Sequence, residues 1–170
     1  MATVDTVQLG QIHPPKEDSI VAFRKIETDL KKMLQHLRHE TDSLSPLLFP
    51  LSHALPLQSN PATNLPSPEH EPQYFQAVAH LSNQQLTSFS SADLKSVRIA
   101  TSAYGLHLFG KVLLPESDNK YFMFRAFIPG NPEEAKFHCI HMEETDVGGV
   151  EGKYFRAIFE EEDKLEWFDE

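Results

Sequence analysis

The sequence predicts an α+β fold: a long N-terminal helix and a shorter second helix packed on a four- to five-stranded antiparallel β-meander. Three observations predict it. Apolar side chains between residues 23 and 37 recur at helical spacing, runs beyond residue 96 alternate with period two, and the stretches joining those runs are too short for parallel crossovers. A length of 170 residues suits one domain with a real core, here residues 16–170, preceded by an arm over 1–15 that ends at Pro14 and Pro15.

The helix is expected over 18–40. Asp18 or Ser19 can cap its first turn, and Phe23, Ile26, Leu30, Met33 and Leu37 form a seam at spacings of 3, 4, 3 and 4, widened by Leu34. Such a seam docks on the protein's own sheet or on a partner helix, and two and a half heptads do not decide between them. Residues 43–72 hold seven of the twelve prolines and cannot be one regular element. Their first half is rich in Leu and carries Phe49, too apolar to stand in water without consequence. A second helix is expected over 73–86, with Tyr74 or Phe75, Val78 and Leu81 on one stripe.

The sheet is expected over 96–160. "GLHLFGKVLL", "KYFMFRAFI", "AKFHCIHME" and "KYFRAIFE" form a meander, with "SVRIATS" as a fifth strand or lead-in. Residues two apart share a face. Leu106, Leu108, Val112 and Leu114, then Phe122, Phe124, Ala126 and Ile128, then Phe155, Ala157 and Phe159, mark one apolar face. The opposite parity carries His107, Phe109, Lys111, Tyr121, Met123, Arg125, Phe127, Tyr154, Arg156 and Ile158, a mixture too polar for a dry core and too aromatic for plain exposure. Three readings of this face stay open: arginines pairing with glutamates under a covering segment, a concave pocket, or a protein interface.

Helix-then-meander order resembles the layout of cystatin-like and NTF2-like domains. The Gln-x-Val-x-Gly loop of cystatins is absent, since "QAVAHL" lacks its glycine.

Charge and composition narrow the function. Net charge is −10, and residues 131–170 hold 13 acids against 4 bases, a field that opposes nucleic acid and anionic membrane at that end. The single cysteine, Cys139, excludes an internal disulfide and a four-thiolate zinc site. With no secretion-signal layout and no long apolar run, the cytoplasm or nucleus is expected.

"KFHCIHMEE", residues 136–144, is dense in metal-binding and catalytic residue types. On a regular strand His138 and His141 differ by an odd number and face apart, while Cys139 and His141 supply only two of the four ligands that structural zinc takes. No metal, cofactor or catalytic residue is assigned.

Two functions are carried forward. The first is a non-enzymatic protein-interaction or assembly module with a protein partner or a homodimer. It would use Phe23, Leu30 and Leu37 of the seam, Phe49 of the Leu/Pro-rich segment, and Leu165, Trp167 and Phe168 of the acidic C-terminal tail, 160–170. The second is a pocket for a small anionic or aromatic ligand, or for a reaction, built from His107, Tyr121, Arg125, Tyr154 and Arg156.

Overall fold

The structure, a computed structural model, describes residues 7–42, 74–146 and 153–169. The crossing expected over 43–72, with Phe49, lies outside the described residues. In chain order the elements are β1 (Gln8–Leu9), α1 (Glu17–Asp42), a 3-10 turn Gln76–Val78, α2 (Asn83–Leu86), β2 (Leu94–Ser102), β3 (Gly105–Leu113), β4 (Tyr121–Ile128), β5 (Lys136–Ile140), β6 (Glu143–Asp146) and β7 (Lys153–Arg156). Strands β1 to β5 form one antiparallel sheet in sequential order, and β6 pairs with β7 in a separate ribbon.

Helix α1 lies on the apolar face. Phe23, Ile26, Leu30 and Leu34 are fully buried, whereas Met33 and Leu37 are half-buried at the margin of the core. The expected seam followed a 3.5-residue period; the buried stripe steps from 23 to 34 in eleven residues, the 3.67-residue period of a nearly straight helix. The seam therefore turns away from the core in its second half. Inside, Phe23 meets Phe89 and Phe124 at centroid distances of 6.2 and 5.7 Å, and Phe89 meets Phe122 at 4.9 Å. Gly110 makes room for this cluster: a Cβ there would lie 2.3 Å from the Phe124 ring.

The second helix is shorter than the expected 73–86 because Ser82 interrupts it. Its backbone is extended (φ −68°, ψ 164°), and it caps α2 reciprocally with Gln85: the Gln85 amide donates to Ser82 Oγ at 3.2 Å, and the Ser82 amide donates to Gln85 Oε1 at 2.8 Å.

Two further departures concern the sheet. "SVRIATS" joins it as β2, but the expected meander strand "KYFRAIFE" does not, and the remaining strand is Gln8–Leu9 from the arm, paired with Thr101 and Ala100. Segment 153–156 instead pairs with β6, in a register that sets Glu143 opposite Arg156, an acid against a base. Regular pairing ends at Arg156. Ala157 and Ile158 then join the helix-side core, and Phe159 alone returns to the main sheet, bridging Tyr121.

The other departure is a β-bulge. Arg125 lies opposite Cys139 and Ala126 opposite Phe137, so His138 is an extra residue that breaks period two. As a result His138 and His141 share a face rather than opposing each other. The His138 ring stacks on Phe127 at 5.9 Å, and the His141 ring stacks on Phe159 and Phe168 at 5.0 and 4.2 Å, all on the face away from α1.

Candidate functional site

The face away from α1 is covered by the chain's own C-terminal segment. Leu165 and Phe168 are buried and Trp167 is half-buried, packed with Ala100, Phe109, Met123 and Phe159. Basic side chains rising from the strands hold that segment in place. Arg98 donates from Nη1 to the Leu165 carbonyl at 3.0 Å and from Nε to the Gly10 carbonyl at 2.7 Å. Lys111, only 5% exposed, donates to the carbonyls of Glu160, Glu161 and Asp163 at 2.7, 2.8 and 2.7 Å, which satisfies all three of its protons. Arg125 donates from Nη1 to the Phe168 carbonyl at 3.2 Å and to Asp169 Oδ1 at 2.9 Å, beneath the Trp167 ring at 4.5 Å. Arg156 donates to Glu143 Oε2 at 2.7 Å and to both Asp163 oxygens at 3.1 and 3.2 Å. Lys120 pairs with Glu160 beside them. The acidic tail is thus the counter-layer of a basic strand face.

Of the five residues expected to bind a ligand, the four with described side chains fall into three groups. His107 and Arg125 touch, with Arg125 Nη2 3.3 Å from His107 Nδ1. Tyr121 is buried beside Lys111, whose Nζ stands 4.8 Å from the tyrosine ring centre. Arg156 belongs with Glu143, Asp163 and His141. For Tyr154 the structure describes the β7 backbone, paired with Thr145, but not the side chain. Among the described residues of this set, Arg125 and His107 lie under the tail, not around an open cavity.

Burial sets the ionisation of these groups. The His107 pKa is lowered to about 4, first by burial and then by the charges of Arg125 and His138, against a smaller opposing effect of Asp169. His141 is lowered by burial despite its 3.0 Å contact with Glu143 Oε1. Burial, followed by the charges of Glu161 and Glu162, raises Tyr121. No three His, Cys, Asp or Glu side chains among the described residues are gathered to hold a metal ion. Neither is any helix among them long and apolar enough to cross a membrane.

Comparison with family models, curated proteins and solved structures finds no significant match. The geometry of the chain therefore carries the functional reading.

Of the residues expected to meet a partner, Phe23 and Leu30 are fully buried in the core, and Leu165 and Phe168 are buried under the tail's own packing. Leu37 differs. With Met33 it forms one wall of a cavity of about 270 Å³ at the outer edge of β5, where α1 approaches from one face of the sheet and the tail from the other. Ile140, Met142, His138, Cys139 and Asp169 complete its lining. Met142 is 42% exposed, one of four large apolar side chains that stand in solvent among the described residues. A second cavity, of about 300 Å³, touches Tyr121 and Lys111 but is also walled by Glu161, Glu162 and Asp163. Sequence reasoning missed Met142 and the β5 edge as a site, because the drift of the helical stripe and the bulge at His138 are what bring Leu37 and Met142 to one groove.

Proposed function

We propose that the chain is a non-enzymatic protein-interaction module that receives an apolar segment of a protein partner in the groove between the second half of α1 and edge strand β5. The observation that carries this reading is the groove itself, about 270 Å³ lined by Met33 and Leu37 of α1 together with Ile140 and the exposed Met142. Its two methionines give a surface that adapts to varied apolar side chains. Asp169 at the rim adds a charge that favours a basic residue flanking the apolar segment. The layout is compatible with a cystatin-like or NTF2-like domain, and the cytoplasm or nucleus is where we place the encounter. A second copy of the chain is one candidate partner. A small anionic ligand is favoured less, since the cavity that touches Tyr121 sets three carboxylates against its three lysines, and the Lys111 ammonium is already bound to three main-chain carbonyls.

The test is selection of a random peptide library against the full chain, followed by binding measurements on variants. The reading expects selected peptides to be apolar with a basic flank and to lose at least tenfold in affinity on Met142→Asp and Leu37→Asp, while Tyr104→Ala, an exposed tyrosine away from the groove, leaves binding unchanged. Peptides that bind equally well to both aspartate variants would sink it. Sedimentation of the same variants separates a second copy from a different partner.

A further inference from the structure

The hydrogen bond between Arg125 and His107 has a fixed direction. A guanidinium can only donate, so His107 Nδ1 is the acceptor of the 3.3 Å contact and carries no proton. The ring is then the neutral tautomer protonated at Nε2, an atom buried without a hydrogen-bond partner among the described residues. Adding a second proton, at Nδ1, turns the contact into two donors facing each other and two positive charges side by side in a low-dielectric setting.

The same guanidinium holds the C-terminal segment. Its Nη1 binds the Phe168 carbonyl and Asp169, its plane lies under Trp167, and Trp167 Nε1 donates in turn to Asp169 Oδ2 at 3.1 Å. Trp167 also rests against the His107 ring itself, at 5.7 Å. Arg125 therefore cannot leave an imidazolium at position 107 without disturbing the groups that anchor Trp167, Phe168 and Asp169.

We propose that residues Lys164–Asp169 form an acid-released clasp over the sheet face, closed only while His107 is neutral and accepts the hydrogen bond of Arg125. The charged and titratable groups facing His107 are Arg125 on β4, His138 on β5 and Asp169 in the segment; β2 places Ala100 opposite it. His141, stacked on Phe168, adds a second titratable ring to the same closure, with Glu143, Arg156 and Asp163 facing it. Release uncovers Phe109, Met123 and the Arg125 guanidinium, an aromatic and cationic surface on the face of the sheet opposite α1. This surface adjoins the methionine-lined groove, with which the clasp shares Asp169 and His138, but the clasp is read at Trp167 and His107 with no groove ligand present.

The lone tryptophan of the chain, Trp167, reports on the segment directly. With a ring pKa of about 4 when closed and 6.5 when released, the opening constant rises about 30-fold between pH 8 and pH 5 and at most about 300-fold at lower pH. The experiment follows acrylamide quenching of Trp167 and amide exchange of residues 165–169 against pH, corrected for intrinsic exchange, with amides of α1 as reference. Opening of the segment is expected to increase about 30-fold at pH 5 while α1 amides keep their protection. His107→Asn retains an acceptor near the place of Nδ1 and gains no proton, so it is expected to abolish most of the increase; Asp169→Asn is expected to keep it. In the unaltered chain the His107 ring, followed by NMR, should titrate well below 6.5 and move upward in Phe168→Ala, by reciprocal linkage. The proposal is overturned if the segment stays closed at pH 5, if α1 opens in parallel, if His107→Asn opens as the unaltered chain does, or if Asp169→Asn alone removes the increase. Where His107→Asn does not fold, a His107 titration unchanged by Phe168→Ala overturns it.

Discussion

Replacing Lys111 with methionine removes one ammonium group and keeps the stem that packs under it. The side chain is 5% exposed, and its nitrogen binds three main-chain carbonyls at 2.7 to 2.8 Å, all within the turn that leads into the C-terminal segment. A hydrogen bond to a charged group is worth about 1.5–3 kcal/mol net, so three give about 4.5–9 kcal/mol before correction. Two terms reduce this. Dehydrating the ammonium costs several kcal/mol, and Glu160 and Glu161 are exposed, so their carbonyls regain water once the partner is gone. A net loss of about 2–4 kcal/mol is therefore expected for Lys111→Met, read by urea unfolding with far-UV circular dichroism, at unchanged slope. Lys164→Met, an exposed lysine in the same segment, is the control and is expected to stay within about 0.5 kcal/mol. A loss below about 1 kcal/mol for Lys111→Met, or equal losses for both lysines, would refute the claim that this ammonium pins the tail to the sheet.

Gly110→Ala is expected to cost about 1–3 kcal/mol or more in thermal unfolding, because the new methyl must displace the fully buried Phe124 ring. A silent substitution would contradict the register that sets the two residues opposite each other. Ser82→Ala removes one half of the α2 capping box and should cost about 1 kcal/mol, with raised amide exchange confined to residues 83–87 as the local signature. Stability should also depend on pH through His107. Its folded pKa, about 4, lies below the unfolded value of 6.5, so the contribution is complete above pH 6.5 and is lost as pH falls toward 4. That contribution is at most about 3–4 kcal/mol, the difference between the two pKa values at about 1.36 kcal/mol each. The denaturant midpoint of the unaltered chain should therefore fall relative to that of His107→Asn as pH drops from 7 to 4, and a difference that does not change with pH would contradict the assignment.

The layer of β3 and β4 against α1 was legible because alternation in 105–113 and 121–128 and the helical stripe from Phe23 to Leu34 are long, periodic signals. Strand β1 was not, since two residues carry no period and Gln8–Leu9 pairs only through tertiary proximity to β2. The capping box of α2 stood in the sequence as Ser-x-x-Gln and was overlooked beneath the apolar stripe of 74–81. The bulge at His138 defeated the period-two argument that set His138 and His141 on opposite faces; nothing in "KFHCIHMEE" announces an extra residue, which is accommodated by the pairing of β4 with β5. Arginines pairing with glutamates under a covering segment was among the open readings of the mixed face, without the acidic tail being singled out as that cover. Which base meets which carbonyl, and that Lys111 rather than an arginine makes three of those contacts, depends on the path of residues 157–169 after regular pairing stops at Arg156.

The account turns on the groove between α1 and β5, and the methionines of the chain can test it in one spectrum. Four methionines are present, of which Met33 and Met142 both line the groove while Met123 lies under the C-terminal segment. With the methyl groups carrying carbon-13, a library-selected peptide is titrated into the full chain at neutral pH. The Met33 and Met142 signals are expected to shift together and saturably while Met123 stays in place. Shifts of Met123 with Met33 and Met142 unmoved would contradict it.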